Sequence, residues 1–227
     1  MNILESATTK LGNKIELIGE AGDNNILVIG VFHGDEPQGK YLIEKYLSLP
    51  PLPNPPPQGG RVRERGLLFI PCLNPDGLSS NTRTNANGVD LNRNFPTKNF
   101  GQDGSSAGNN PENYYGGKEP ASEIETRFVI DILEKYQPKL VITLHAPYKI
   151  VNYDGPAEAI AQKISDIIGY CVESSIGYPT PGSFGTYCGV ERNIPTITLE
   201  LDEEIPVEQL EQPVFEVFNM LKSIPLY

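Results

Sequence analysis

Histidine is nearly absent from this chain: there are two in 227 residues, His33 and His145. Tryptophan is missing and methionine occurs only twice. The three cysteines, Cys72, Cys171 and Cys188, are an odd count at unrelated spacings. That pattern suggests neither a disulfide framework nor a cysteine metal site. Positive charge is also short: 18 Lys and Arg against 29 Asp and Glu give a formal net charge of −11. Nucleic acid and anionic membrane surfaces both reward clustered cations, so neither is an expected partner. No apolar run approaches the roughly 18 residues of a membrane span. The opening MNILESATTK lacks the basic start and apolar stretch of a secretory leader. These shortages leave small molecules or short peptides as partners and the cytoplasm as the simplest location. The oligomeric state stays open, with a homodimer among the options.

What the chain does have is an alternation of patterns within the length of one large domain, residues 1–227. Residues 25–32, NILVIGVF, form a near-continuous apolar run of strand length, as expected of a strand buried on both faces. Pro37 then suits a first helical turn, and Tyr41, Leu42, Tyr46 and Leu47 recur at helical spacing. Residues 50–60, PPLPNPPPQGG, predict a stiff surface connection. Further strands are expected at 67–71, 140–144 and 196–201, with helices over roughly 120–136, 156–170 and 207–222. The first of these helices is expected to open on a Ser122-x-x-Glu125 capping box. Strands alternating with helices predict an α/β fold with a mainly parallel sheet. The stretch from about 74 to 119 is rich in Asn, Gly and Asp and almost without periodicity, which in a compact domain marks function or disorder.

The unusual residues fall at strand ends. His33 follows the first strand, Asn74-Pro75-Asp76-Gly77 the second and His145 the third, while Glu200 lies at the end of the fourth. Ligands of open α/β sheets bind at the carboxyl ends of the strands, so these four groups are expected to share one crevice. Two histidines and a carboxylate are a donor set for zinc with one position left open. His33 and Glu36, three apart, could reach one ion with His145. Taken singly, each has an ordinary structural reading: a partly buried histidine, or a carboxylate favoured by a helix N-terminus. Both histidines ending apolar strands is what raises the metal reading.

Longer strings carry a resemblance. Gly88-Val89-Asp90-Leu91-Asn92-Arg93-Asn94-Phe95-Pro96 follows NPDG and H-x-x-E and precedes Tyr115-Gly116-Gly117, Ser122-Glu123-Ile124-Glu125, Leu144-His145 and Thr198-Leu199-Glu200. This order resembles the zinc carboxypeptidases of the M14 family, from about residue 26 to 202. Leu144-His145-Ala146-Pro147, Tyr153-Asp154-Gly155-Pro156 and the run from Pro181 to Arg192 are similar to its short bacterial branch of murein peptide amidases. Members of that branch cleave the γ-D-glutamyl to diaminopimelate bond. The resemblance implies a single domain with a mixed, mainly parallel central sheet flanked by helices, and one Zn2+ ion held by His33, Glu36 and His145.

It further implies that Glu200 is the general base and that Arg83 faces the developing oxyanion. Asn92 and Arg93 match the clamp for a free carboxylate, for which a guanidinium fork is suited. For the tyrosine that larger relatives place over the substrate, Tyr187 is the nearest candidate, with a packed aromatic as the other reading. Asp154 could meet a diaminopimelate ammonium or be a plain turn residue. The implied activity is hydrolysis of an amide next to a free carboxylate in short peptides, as in cell-wall peptide recycling. An aspartoacylase-like deacylase of N-acyl amino acids and a metal-dependent binding protein without catalysis are the alternatives.

Overall fold

The computed structural model describes residues 2–50, 65–102, 114–174 and 180–223. Its strands are β1 (Asn2–Thr8), β2 (Lys14–Gly19), β3 (Asn24–Gly30), β4 (Arg65–Ile70), β5 (Leu140–His145), β6 (Ile150–Asp154), β7 (Cys171–Glu173) and β8 (Thr196–Glu200). The helices are α1 (Gln38–Ser48), α2 (Pro75–Ser80), α3 (Ile124–Tyr136), α4 (Glu158–Ile168) and α5 (Glu211–Leu221). The proline-rich connection expected at 50–60 lies outside the described residues from 51 onward.

One mixed sheet carries the strands in the order β1-β2-β4-β3-β5-β8-β6-β7. The four apolar runs of the sequence are β4, β3, β5 and β8, and they stand side by side and parallel at its centre. Such strands are buried on both faces, which is why their sequences are continuous rather than alternating. The antiparallel additions escaped the sequence reading. β1 and β2 form a hairpin at one edge, and β6 runs antiparallel to β8 near the other. Their residues are half exposed and mixed in polarity, so the apolar signal is weak.

Alternation along the strands sorts the core into two layers. Ile26 and Val28 of β3, Ile142 and Leu144 of β5 and Ile197 and Leu199 of β8 meet α1, α4 and α5 on one face. Leu27, Ile29 and Val141 point the other way, against α3 and the rings of Phe32, Phe95 and Phe184. By the same alternation His145 shares the second face with Val141 and Thr143, and Glu200 shares it with Thr196 and Thr198. The register pairs His145 with Glu200 directly across β5 and β8, and the Thr143 hydroxyl donates to that of Thr198 one step below. Two buried strands thus deliver a histidine and a carboxylate side by side at their carboxyl ends.

The expected capping box at Ser122 is not formed. α3 starts later, with Glu123 at its N-cap, and the Ser122 hydroxyl donates to the Glu123 carboxylate while accepting from Asn94 Nδ2. Glu125 turns inward, where Asn85 Nδ2 reaches it at 3.3 Å. Asn94 of the loop thus takes the hydroxyl that a capping box would use.

Candidate metal and active site

β3 ends abruptly. Val31 has φ +56°, a conformation costly for a β-branched residue and usual only where the surroundings enforce it. The backbone N–H groups of Leu73 and Asn74 cap the Gly30 and Val31 carbonyls at 3.0 and 2.9 Å, and the chain then swings His33 over the end of the sheet. Gly34 is required by contact rather than by turn geometry: an added Cβ would stand 2.0 Å from the Gly77 carbonyl carbon.

His33 Nδ1 lies 2.7 Å from Glu36 Oε1, and His145 Nδ1 lies 2.9 Å from Glu36 Oε2 and 3.3 Å from His33 Nδ1. The three donor atoms all fall within 4.8 Å of one another and all three residues are buried. Two imidazole nitrogens and a carboxylate turned toward one point form an N2O set that suits zinc. Glu36 bridges the two imidazoles, one through each carboxylate oxygen. The two imidazoles hold its carboxyl well below the usual range even though burial pushes the other way.

Asp90, inside the GVDLNRNFP string, is the residue that sequence reasoning left without a role. It is fully buried, with Oδ1 3.2 Å from His33 Nε2 and Oδ2 accepting from Arg83 Nε at 3.0 Å. A metal-ligating histidine is commonly oriented by a carboxylate on its other nitrogen. Asp90 also accepts from the Asn92 N–H at 2.9 Å, capping the short helical turn Leu91–Arg93 that presents Asn92 and Arg93. One carboxylate therefore ties His33, Arg83 and this turn into a single unit. Its signal in the sequence was the string itself, not any spacing.

A pocket of about 220 Å³ opens over the donors, and Arg83, Arg93, Asn92 and Glu200 line it. Arg93 is only 3% exposed, and its charge acts on the buried Asp90 carboxylate. Its Nη1 donates to the Asn92 carbonyl at 2.7 Å and its guanidinium lies 5.6 Å from the centre of the Tyr114 ring. Arg83 stands 5.2 Å from the same ring. Glu200 is 7% exposed, and its Oε2 has no hydrogen-bond partner. Burial, with the nearby Glu36 charge adding to it, pushes its carboxyl above the ordinary range against the pull of the imidazoles. A buried carboxylate oxygen without a hydrogen-bond partner, facing a pocket lined by two guanidiniums, is costly unless a ligand meets it.

The structure places three of the singled-out groups away from the pocket, which for Tyr187 and Asp154 agrees with the alternative reading of each. Tyr187 does not reach the pocket: it is 3% exposed, its ring packs 5.3 Å from that of Phe95, and the Arg192 guanidinium covers its other side at 3.3 Å. The NPDG segment does not line the crevice either. Asn74 caps α2 by accepting from Gly77 N, and Asp76 accepts from Thr9 and Asn13 of the β1–β2 hairpin, so the segment is scaffold beneath the site. Asp154 pairs with Thr196, at the far end of the β6–β8 ladder from Glu200, and packs on Gly185 and Gly189.

The family model described as zinc carboxypeptidase matches residues 5–159. The chain belongs to the zinc carboxypeptidase family. Among curated members, murein peptide amidase A of Escherichia coli (strain K12) is 33% identical over 160 residues, covering 68% of this chain and 65% of that protein. The corresponding amidase of Vibrio campbellii (strain ATCC BAA-1116) is 37% identical over 139 residues, covering 58% and 55%. The matched part of the chain thus spans less than two thirds of each of these relatives. The crystal structure of the murein-tripeptide amidase MpaA from Escherichia coli O157 superposes with a TM-score of 0.78 at 27% identity, over 96% of this chain and 90% of that one. Carboxypeptidase A from Helicoverpa armigera shares the fold at 16% identity and a TM-score of 0.72, over 97% and 67%.

Proposed function

We propose that this protein is a zinc-dependent amidase that cleaves the γ-D-glutamyl to diaminopimelate bond of short murein peptides. The observation that carries the reading is the convergence of the buried Arg93 guanidinium and the buried Glu200 carboxylate, whose Oε2 has no hydrogen-bond partner, on the pocket that holds the His33, Glu36 and His145 donors. The likeness to amidases of murein peptides supplies the substrate class.

His33 Nδ1, Glu36 and His145 Nδ1 would hold the ion. A bound zinc polarises a carbonyl and acidifies water. Glu200 takes a proton from the attacking water and passes it to the departing amine, a task helped by a carboxyl whose proton affinity burial has raised. Arg83, fixed by Asp90, directs its guanidinium at the oxygen on which charge develops. Asn92 and Arg93 receive the carboxylate beside the scissile bond; Asn92 is oriented by accepting from the Phe184 N–H at 2.9 Å. A cytoplasmic setting fits the three free thiols, of which Cys171 is exposed.

The test is turnover of L-alanyl-γ-D-glutamyl-diaminopimelate by the zinc-loaded protein and its Glu200→Gln variant. The parent releases diaminopimelate; Glu200→Gln keeps stoichiometric zinc and loses at least about 100-fold in kcat, the ordinary worth of a positioned base. Turnover of an N-acyl-aspartate in place of the tripeptide would make the protein a deacylase.

A further inference from the structure

Tyr114 lines the pocket, yet neither the metal donors nor the proton transfer gives it a task. The chain that follows it is fastened to the turn carrying Asp90 and Arg93. The Tyr115 carbonyl accepts from the Asp90 N–H at 2.8 Å, and the Gly116 carbonyl accepts from Asn94 Nδ2 at 2.7 Å. Gly116 lies so close to this turn that an added Cβ would stand 2.5 Å from the Arg93 carbonyl oxygen. Thus anchored, the chain delivers the half-buried Tyr114 ring to the guanidiniums of Arg83 and Arg93, whose central carbons lie 5.2 and 5.6 Å from the ring centre.

One ring therefore serves two cations. An aromatic face within about 6 Å attracts a guanidinium, more strongly where water is excluded. Arg83 is anchored at one end only: its Nε donates to Asp90, whereas its Nη1 lies 3.7 Å from Glu36, a carboxylate of the donor set. Its terminal nitrogens can turn about that anchor, and the ring limits how far. A substrate carboxylate received by Arg93 would attract the Arg83 guanidinium as well, since opposite charges a few ångströms apart gain Coulomb energy. Arg83 would then stabilise an anion already present before the reaction, which lowers KM without lowering the barrier.

We infer that Tyr114 is a positioning residue whose ring keeps the Arg83 guanidinium away from the carboxylate that Arg93 receives, so that Arg83 meets only the oxygen on which charge develops. The inference rests on the amidase reading for the roles of the two arginines. It adds a requirement for an aromatic ring, without its hydroxyl, that this reading does not contain.

The test compares the zinc-loaded protein with Tyr114→Phe and Tyr114→Leu on L-alanyl-γ-D-glutamyl-diaminopimelate, α-linked Ala-Glu-Lys and N-acetyl-aspartate. Each of these carries a free carboxylate beside the scissile amide. On the substrate that is cleaved, Tyr114→Leu loses about ten-fold in kcat with KM unchanged or lowered, as two cation–π contacts of ordinary strength allow. Tyr114→Phe, which restores the ring, recovers kcat to within about two-fold of the parent. In an Arg83→Ala background the Tyr114→Leu exchange changes kcat by less than about two-fold, because the guanidinium it acts through is gone. Equal losses in the Phe and Leu variants would overturn the positioning role, as would a rise in KM without a fall in kcat, or an undiminished loss in the Arg83→Ala background. Cleavage of only the second or third substrate, with the same split between kcat and KM, would overturn the amidase reading and support the role of the ring. Cleavage of none would overturn both.

Discussion

Residues 33–36 and 74–77 touch, yet they do opposite work. The first segment holds two of the three candidate metal donors and the second holds none, although both are polar, contain a glycine and follow a central strand. They meet at Gly34 and Gly77, where no Cβ fits. Beyond that contact, the carboxylate of Glu36 turns to two imidazoles, while that of Asp76 turns to a hydroxyl, an amide and a backbone N–H of the β1–β2 hairpin. A polar string after a strand therefore marks a place where the backbone must be held as often as a place where chemistry occurs. Its partners decide which.

The sharpest way to test the division is to remove the donor. Glu36→Ala leaves two buried imidazoles without their shared carboxylate, and the protein is expected to retain its fold by circular dichroism while bound zinc, measured by elemental analysis, falls from one equivalent to near zero. Turnover disappears with it. If Glu36→Ala still carried a full equivalent of zinc, the ion would have other ligands.

Next in size is the scaffold. In Gly77→Ala the new Cβ meets the Thr84 carbonyl oxygen at 2.5 Å, a backbone atom that cannot step aside cheaply. Overpacking of this kind costs about 2–3 kcal/mol, or a fall of roughly 5–10 °C in Tm for a domain of this size. Zinc content should stay at one equivalent. A variant that kept its Tm but lost its zinc would erase the distinction between the two segments.

Much of the centre was legible because it is local. Four apolar runs announce four parallel strands, and a histidine breaking such a run announces a strand end. The donor trio follows from that placement with the family resemblance, as do Arg83, Arg93 and Glu200 in one pocket. What stayed hidden depends on distant pairing. Asp90 sits 57 residues from His33, and nothing near it in the chain says that it will face the far nitrogen of that ring. The β1–β2 hairpin packs its short alternating strands onto β4, so its apolar residues are too few to signal alone. For Tyr187 two readings stayed open: glycines nearby suggest a moving loop, but Phe95, 92 residues away, and Arg192, five residues on, enclose the ring.

The smallest expected effect uses a reporter already beside the scaffold segment. Cys72 lies two residues before Asn74, buried, and burial pushes its thiol up to about 12; Cys188 is likewise buried and pushed up to about 11. Thiolate is the reactive form, so at pH 8 these two are silent and the exposed Cys171 alone takes up iodoacetamide in the folded protein. Raising the pH to 9 does not recruit Cys72, because both the raised thiol and its enclosure oppose reaction. Loosening the Gly34 and Gly77 contact should then appear first as slow labelling of Cys72, read by peptide mass, while Glu36→Ala leaves it protected. Labelling of Cys72 in Glu36→Ala at the rate seen in Gly77→Ala would mean that donor and scaffold segments open together, as one unit rather than two.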